Sequence, residues 1–319
     1  MHLHYKIHSN YEAAVFHQRI VCCYLYPITK YGYPPKAEDT LKYIDEMHAL
    51  GFRSVEIEGI RKEHLLRVYD MRFDIKKTLD TLNLELPYFC AVLPGLSSPD
   101  ENVRKANLDL FEKGCEAAKL FGSKGILDNA PLPPFQFPGD IPVVRHYGEE
   151  SLRRAFFPKN FSWNAYWDIL TDTFRTVCEI SARFGLTYQV HPAVGVLSST
   201  TDGFLHFFES VKRDNLRFNF DAANLFAVKE NLSLALLRLH DHIDYIHISD
   251  NGGERVEHLS IGDGTIDWDV FFETLQNVRY KGYFGVDVGG SESRVPHLDE
   301  SYKNTARWLE EKILQYNFI

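Results

Sequence analysis

The chain has 319 residues, a length that suits two ordinary domains or one α/β barrel. With 45% hydrophobic and 25% charged residues, the composition excludes a disordered, collagen-like or low-complexity protein and predicts a sizeable core. The formal net charge of −9, without any basic run, argues against nucleic acids and anionic membranes as partners.

Short β-branched or aromatic runs alternate with longer segments of helical periodicity, and this pattern occurs eight times. The predicted strands cover residues 20–25, 54–57, 88–92, 125–127, 186–190, 216–220, 243–248 and 283–287. The predicted helices cover about 36–50, 63–82, 101–121, 166–184, 202–212, 231–240, 267–278 and 299–316. Because parallel strands need crossover helices and closure removes both sheet edges, we predict an α/β fold, the (β/α)8 TIM barrel. An open doubly wound sheet is the alternative, although no G-x-G-x-x-G follows the first strand.

One segment, residues 128–162, interrupts the alternation. It is rich in proline and phenylalanine, has little helical periodicity and follows the fourth strand. Long loops inside compact domains usually serve function, and this one would lie at the face where barrel active sites form. We predict a lid or substrate rim, with an oligomer contact as a further role, and an inert insertion is the alternative. The whole chain, residues 1–319, is otherwise expected to be a single domain with an N-terminal arm over about 1–18.

Polar side chains are found at the ends of the last four predicted strands. They are Gln189 and His191 on the fifth strand, Asp221 and Asn224 at the sixth, His247 on the seventh and Asp287 at the eighth. Since barrel strand ends converge on one mouth, these side chains are expected to lie close together. Carboxylates with an imidazole and an amide predict a divalent-cation site, with Mn²⁺ or Mg²⁺ favoured and Zn²⁺ or Co²⁺ as alternatives. Asp221 is also compatible with a helix cap and His247 with a core histidine.

Several motifs in the C-terminal half are typical of one family. Residues 245–250, which follow Asp244, read aromatic, apolar, His, apolar, variable, Asp, and residues 261–268 resemble a Gly-x-Gly, x, apolar, Asp, Trp signature. Residues 280–287 match a Tyr-x-Gly-Tyr motif that continues into the eighth strand, and residues 51–56 match a second-strand motif. The chain therefore resembles the xylose isomerase-like TIM barrel family, which comprises sugar isomerases and epimerases and shares its metal site with abasic-site endonucleases.

The resemblance implies a metal shell with one residue from each of the last four strands, namely Gln189, Asp221, His247 and Asp287. The family has Glu at the first and last of these positions, where both also act as acid and base. A Gln side chain cannot take a proton, so a one-base reaction is favoured, with Asp287 or His191 removing a proton beside a carbonyl. The substrate-binding candidates are Asn224, His258, Glu56, Asp128 and Asn129.

The function expected from the resemblance is a divalent-metal-dependent isomerase or epimerase acting on a sugar or keto-sugar. Two alternatives stay open. One is a lyase on the same scaffold, a dehydratase or a keto-glycoside deglycosidase subunit, and the other is a non-catalytic sugar-binding barrel. Nuclease activity is disfavoured by the net charge of −9. The expected partners are a small-molecule sugar and further copies of the chain in a homo-oligomer, with a second kind of subunit also open.

The five cysteines are odd in number and lack C-x-x-C spacing, which indicates reduced, buried thiols and not a disulfide framework. No apolar run at the start resembles a signal peptide, and no window approaches the length of a membrane span. We therefore expect a soluble, cytoplasmic protein.

Overall fold

Parallel strands form the centre of the molecule. The computed structural model describes residues 15–129, 131–139 and 149–318. Its strands are β1 (Ile20–Cys22), β2 (Ser54–Val55), β3 (Ile57–Ile60), β4 (Tyr88–Val92), β5 (Gly125–Asn129), β6 (Thr187–His191), β7 (Leu216–Asp221), β8 (Tyr245–Ile248) and β9 (Tyr283–Val286). They are hydrogen-bonded in the order β2-β1-β9-β8-β7-β6-β5-β4-β3. Each pair is parallel, as strands joined by crossover helices must be.

The two ends of this sheet meet at Glu56. β2 pairs with β1 and β3 pairs with β4, and only Glu56 separates β2 from β3. The Glu56 N–H donates to the Cys22 carbonyl at 2.9 Å, which continues the pairing with β1. β2 and β3 are therefore two halves of one barrel strand, and the nine strands make a nearly closed barrel of eight positions. The (β/α)8 prediction is confirmed.

Helices follow the strands and cover the outside of the barrel. They are α1 (Leu25–Tyr31), α2 (Thr40–Ala49), α3 (Arg61–Asp70), α4 (Arg72–Leu82), α5 (Glu101–Phe121), α6 (Glu149–Arg153), α7 (Trp163–Arg183), α8 (Thr201–Val211), α9 (Ala222–Ala227), α10 (Leu232–Leu239), α11 (Trp268–Asn277) and α12 (Leu298–Gln315). In α7, Tyr166, Leu170, Phe174 and Val177 are buried at the three- and four-residue spacing of one helix face. The helices pack against the barrel through such apolar faces.

Several predicted elements are wrong in extent. The first strand ends at Cys22, and a helix begins at Leu25 where the strand was expected to continue. The reason is tertiary, because the Tyr24 N–H donates to the Glu56 carboxylate at 3.2 Å and not to a neighbouring strand. The helix expected over 63–82 is two helices separated by Met71, and α3 buries Leu65 and Val68 while α4 buries Ile75 and Leu79.

Aromatic side chains fill the barrel interior beneath its carboxyl-terminal mouth. The rings of Tyr88 and Tyr245 stack with their centroids 4.5 Å apart, and Cys23 Sγ lies 3.3 Å from the Tyr245 hydroxyl. A Cβ atom at Gly285 would lie 2.5 Å from Cys23 Sγ, so only glycine fits in this layer. Because alternate residues of a strand share a face, His247 stands one layer above Tyr245.

The long segment after β5 is described only in part, since residues 130 and 140–148 of the predicted lid lie outside the described residues. Gln136 and Phe156 form an antiparallel bridge with backbone hydrogen bonds of 2.8 and 2.9 Å. The Tyr166 hydroxyl lies within donating distance of the carbonyl oxygens of Ser97 and Leu132, at 2.9 and 3.0 Å, which ties the segment to the barrel. Its role as a lid remains a prediction. Of the predicted N-terminal arm, residues 1–14 also lie outside the described residues.

All five cysteines are buried and free, as expected for reduced thiols. Within the described part of the chain, no helix is both long enough and apolar enough to cross a bilayer.

Candidate active site

The mouth of the barrel brings five ionisable side chains together. Asp221 Oδ2 lies 3.6 Å from His191 Nε2, 4.0 Å from His247 Nδ1 and 3.6 Å from His258 Nε2. Asp287 Oδ2 lies 3.6 Å from His247 Nδ1 and 3.8 Å from His258 Nε2. All five residues are at most 3% exposed, so these ionisable groups are removed from water. We refer to them as the donor cluster.

Asp221 serves two purposes with its two carboxylate oxygens. It ends β7 and caps α9, because Oδ1 accepts the Asn224 N–H at 2.7 Å. This bond turns Oδ2 towards the donor cluster, where it also accepts from Asn224 Nδ2 at 3.1 Å. The helix-cap and site interpretations of Asp221 are therefore compatible.

His191 is oriented by Asn219, two residues before Asp221 on the same face of β7. The Asn219 Nδ2 donates to the Tyr245 carbonyl at 3.3 Å, which directs Asn219 Oδ1 at His191 Nδ1, 2.6 Å away. Nδ1 must then carry the proton, and Nε2 keeps its lone pair. The unprotonated nitrogen is the one that faces Asp221, as a metal ligand requires.

His247 is held between the donor cluster and Glu56. Its Nε2 lies 3.3 Å from Glu56 Oε2, while Nδ1 faces Asp221 and Asp287. Within the described residues, neither ring nitrogen has a hydrogen-bond partner of good geometry. A carboxylate behind a histidine is the usual arrangement at metal sites, where it fixes the ring and the tautomer.

His258 reaches the donor cluster from the loop after β8. Asp250 shapes this loop, because its carboxylate accepts the N–H groups of Gly262 at 2.9 Å and Ile266 at 3.3 Å. The His258 N–H donates to Ser293 Oγ at 2.7 Å, and His258 Nδ1 lies 3.4 Å from Glu292 Oε1. Carboxylates thus stand on both sides of the His258 ring.

The pKa shifts reflect burial and this excess of acids. Burial lowers the pKa of His191 to about 4, against the influence of Asp221. Burial has the same effect on His258, but its hydrogen bonds to Asp221 and Glu292 prevail and raise the pKa to about 10. Burial also opposes protonation of His247, yet Cys23 and Asp287 raise the pKa of His247 well above its usual value. The donor cluster therefore attracts positive charge.

The donor cluster has the dimensions of a divalent-metal site. Donors bound to one ion at about 2.1 Å are roughly 3.0–3.5 Å apart in octahedral or tetrahedral geometry. The separations of 3.6 to 4.0 Å around Asp221 Oδ2 are only slightly wider. Two triads, His191–Asp221–His247 and Asp221–His258–Asp287, each keep their ligand atoms within 4.8 Å. The residues fit a bound cation.

The other sequence candidates are placed differently. Gln189 is buried one layer below His191, beside Tyr88. Burial raises the pKa of Tyr88, and the contact with the Gln189 side chain acts in the opposite direction. Asp128 Oδ1 accepts the Leu93 N–H at 3.2 Å, and neighbouring Leu127 and Asn129 line the pocket instead. The structure thus brings Asn129 to the mouth, but it turns Asp128 towards the other face of β5.

A small cavity of about 10 Å³, which has room for about one water molecule, lies beside the donor cluster. It is lined by Tyr33, Glu56, Glu58, Cys90, Val92, Leu127, Asn129, His191 and His247. Glu58 and Cys90 were absent from the sequence candidates. Glu58 lay beyond the expected end of the second strand at residue 57, although its two-residue spacing from Glu56 is the signal of a shared strand face.

Comparison with known proteins agrees with this architecture. Residues 44–312 match the family model described as xylose isomerase-like TIM barrel. The chain belongs to this family. A 3-dehydro-D-guloside 4-epimerase of Escherichia coli (strain K12) is 23% identical over 285 residues, covering 87% of this chain and 95% of that protein.

Solved structures share the fold. The crystal structure of a 3-keto-D-glucoside 4-epimerase from E. coli has a TM-score of 0.68 and 19% identity, covering 92% of this chain and all 100% of that one. A probable 3-DHS dehydratase from Bacillus anthracis has a TM-score of 0.65 and 15% identity, covering 91% and 98% of the two chains. The family resemblance seen in the sequence is confirmed.

Proposed function

We propose that this protein is a divalent-metal-dependent epimerase or isomerase that acts on a sugar or keto-sugar. The observation that carries the proposal is the donor cluster beside a pocket at the barrel mouth. The similarity to the E. coli 3-dehydro-D-guloside 4-epimerase supports a carbohydrate substrate. Active sites of barrel enzymes lie at this face.

The proposed ligands are His191, Asp221, His247, His258 and Asp287, with His191 as the contribution of β6. Gln189, the ligand implied by resemblance, is the alternative from the same strand. Three imidazoles with two carboxylates suit Mn²⁺, Co²⁺ or Zn²⁺ better than Mg²⁺, which prefers oxygen donors and water. A bound cation would supply positive charge beside the substrate carbonyl.

The residues of the chain supply the remaining chemistry. Asp287 is the proposed base, because its carboxylate stands at the mouth and can remove a proton from the carbon beside the carbonyl. Asn129 lines the pocket and is proposed to bind sugar hydroxyls. Asn224 donates to the Pro192 carbonyl at 3.0 Å and lies 3.3 Å from His191 Nε2, so we assign it to holding the donor cluster.

Metal content and proton exchange test the proposal together. Purified protein should contain about one equivalent of a divalent ion by mass spectrometry, and chelation should abolish turnover. In D₂O with a panel of keto-sugars, one C–H should exchange and an epimer or isomer of otherwise unchanged constitution should appear. Asp221→Ala should lose both metal and exchange, whereas Asp241→Ala, whose side chain is 83% exposed, should retain both.

Other outcomes have distinct meanings. Loss of water or release of an aglycone would assign the lyase alternative, as the fold of the probable 3-DHS dehydratase allows. Sugar binding without proton exchange in the metal-loaded protein would assign a non-catalytic barrel. Size-exclusion chromatography with light scattering tests the expected homo-oligomer.

A further inference from the structure

A groove of about 570 Å³ lies at the amino-terminal face of the barrel, the end opposite the donor cluster. It is lined by Arg19, which directly precedes β1, by Gln276 and residues 279–281 between α11 and β9, and by residues 316–318 after α12. Because β1 and β9 are parallel, their amino ends both lie at the face away from the mouth. The volume falls within the roughly 300–1,000 Å³ of small-molecule sites. We refer to this site as the basal groove.

The charged residues that line the basal groove are all positive. They are Arg19, Arg279 and Lys281, and the other lining residues are neutral. Within the described part of the chain, none of these three cations forms an ion pair, although the whole chain has a net charge of −9. Three neighbouring cations without a carboxylate create a local positive potential on an otherwise acidic protein, and such a potential attracts anions.

Arg19 is partly buried, and its hydrogen bonds go to carbonyl oxygens. Nε and Nη2 donate to the Gly282 carbonyl at 2.8 and 2.6 Å, and Nη1 donates to the Phe318 carbonyl. A guanidinium group carries five N–H donors, so among the described residues one donor on each terminal nitrogen keeps no acceptor. Burial lowers the pKa of Arg19, because the cation is held partly away from water without an anion beside it. An anion with two or more oxygens would satisfy both donors and the charge.

Aromatic rings form the floor of the basal groove. Tyr280, Tyr316 and Phe318 line it, and all three are largely buried. The Phe318 ring lies 5.8 Å from that of Phe284 and 6.3 Å from that of Tyr316, between centroids. The Arg19 guanidinium lies 6.0 Å from the centre of the Phe284 ring, so the cation and the rings adjoin. A ligand with a flat apolar ring would pack on this floor while its anionic group meets the cations.

We propose that the basal groove binds a small phosphate ester that carries a flat aromatic ring, such as a nucleoside monophosphate. Three cations from separate segments suit the three terminal oxygens and the double charge of a phosphate better than a carboxylate. The aromatic floor favours a ring-bearing ester over a phosphorylated sugar. Because the groove and the donor cluster are at opposite ends of the barrel, this ligand is a second one and not the substrate. The proposal therefore stands apart from the proposed function.

Calorimetric titration with AMP, phenyl phosphate, inorganic phosphate and glucose 6-phosphate tests the proposal. AMP, phenyl phosphate or both should bind the wild-type protein with a dissociation constant below about 1 mM, and about 10-fold more tightly than the two ringless phosphates. The double variant Arg279→Gln, Lys281→Gln should weaken this binding by about 10-fold or more. The matched control Lys105→Gln, Arg307→Gln removes the same charge from exposed positions of α5 and α12 and should keep the wild-type affinity. Asp221→Ala, which alters the donor cluster, should keep it as well.

Four results would overturn the proposal. The first is that neither AMP nor phenyl phosphate binds the wild-type protein. Equal weakening in the two double variants would show an effect of net charge alone. Equal affinity for the ringless phosphates would show that the aromatic floor takes no part. Loss of binding in Asp221→Ala would place the phosphate at the donor cluster. Binding of AMP alone would assign a nucleotide, whereas binding of phenyl phosphate as well would show that the ring and the phosphate suffice.

Discussion

His247 Nε2 and Glu56 Oε2 are 3.3 Å apart in a contact that is almost completely shielded from water. The opposite ring nitrogen, Nδ1, faces Asp221 and Asp287. Glu56 also marks the point where the sheet closes, between β2 and β3. Glu56 therefore has two roles, because it lies where the barrel closes and it orients His247, a candidate metal ligand.

The Glu56→Gln substitution should weaken metal binding by about 10- to 100-fold, because the neutral amide keeps the shape but removes the charge behind His247. Competition with a fluorescent chelator measures the Mn²⁺ dissociation constant. The control is Glu63→Gln on the surface of α3. An unchanged dissociation constant in a folded Glu56→Gln protein would show that Glu56 does not support a ligand.

His191→Ala and Gln189→Ala form a matched pair from one strand face of β6. His191→Ala should weaken Mn²⁺ binding by at least about 100-fold, more than the loss of an outer partner, because Nε2 faces Asp221 at 3.6 Å. Gln189→Ala should leave the affinity within about threefold, since its side chain lies one layer lower beside Tyr88. Calorimetric titration of both variants decides between them, and the reverse order of effects would make Gln189 the ligand.

Gly285→Ala should destabilise the barrel by about 1–3 kcal/mol through overpacking. The added Cβ would lie 2.5 Å from Cys23 Sγ and 2.6 Å from the Tyr245 hydroxyl, and neither side chain has space to move inside the filled barrel. Urea unfolding monitored by circular dichroism measures the effect. Gly139→Ala is the control, because no atom of the described residues lies within 4 Å of its Cβ position. Equal stability of the two variants would contradict this account of the layer.

Asp128→Asn tests a pH effect outside the donor cluster. Burial raises the pKa of Asp128 well above its usual value, although hydrogen bonds from the backbone N–H groups of Leu93 and Asn129 act in the opposite direction. Folding then favours the protonated acid, so the stabilisation is complete below the unfolded pKa of about 3.9 and is lost as the pH rises through the folded pKa.

Asn cannot ionise but keeps an oxygen acceptor for the Leu93 N–H. Relative to the wild type, Asp128→Asn should therefore gain stability as the pH rises, by up to about 1.4 kcal/mol per pH unit within that window. Urea unfolding of both proteins at several values between pH 5 and pH 9 gives the difference. A difference that does not change with pH would mean that Asp128 is ionised in the folded state across this range.

The sequence by itself determined the elements and the face of the barrel that carries the site. Hydrophobic periodicity is a local property, so it located the eight strands and most of the helices. The rule that strand ends converge then brought Asp221, His247 and Asp287 together, as the structure also does. The motif around His247 identified the family for the same reason, since it is read from consecutive residues.

Only the tertiary structure decided how high each site residue stands in the barrel, which residues face one another and which distant parts of the chain come into contact. The two-residue period puts Gln189 and His191 on one face but does not say which stands level with Asp221, because the stagger between β6 and β7 sets that height. His258 reaches the donor cluster through a loop that Asp250 folds back, a contact between residues far apart in the chain. Glu58 lines the same cavity as His191 and His247 only because the sheet closes at Glu56. These relations depend on non-local packing, which no local pattern in the sequence encodes.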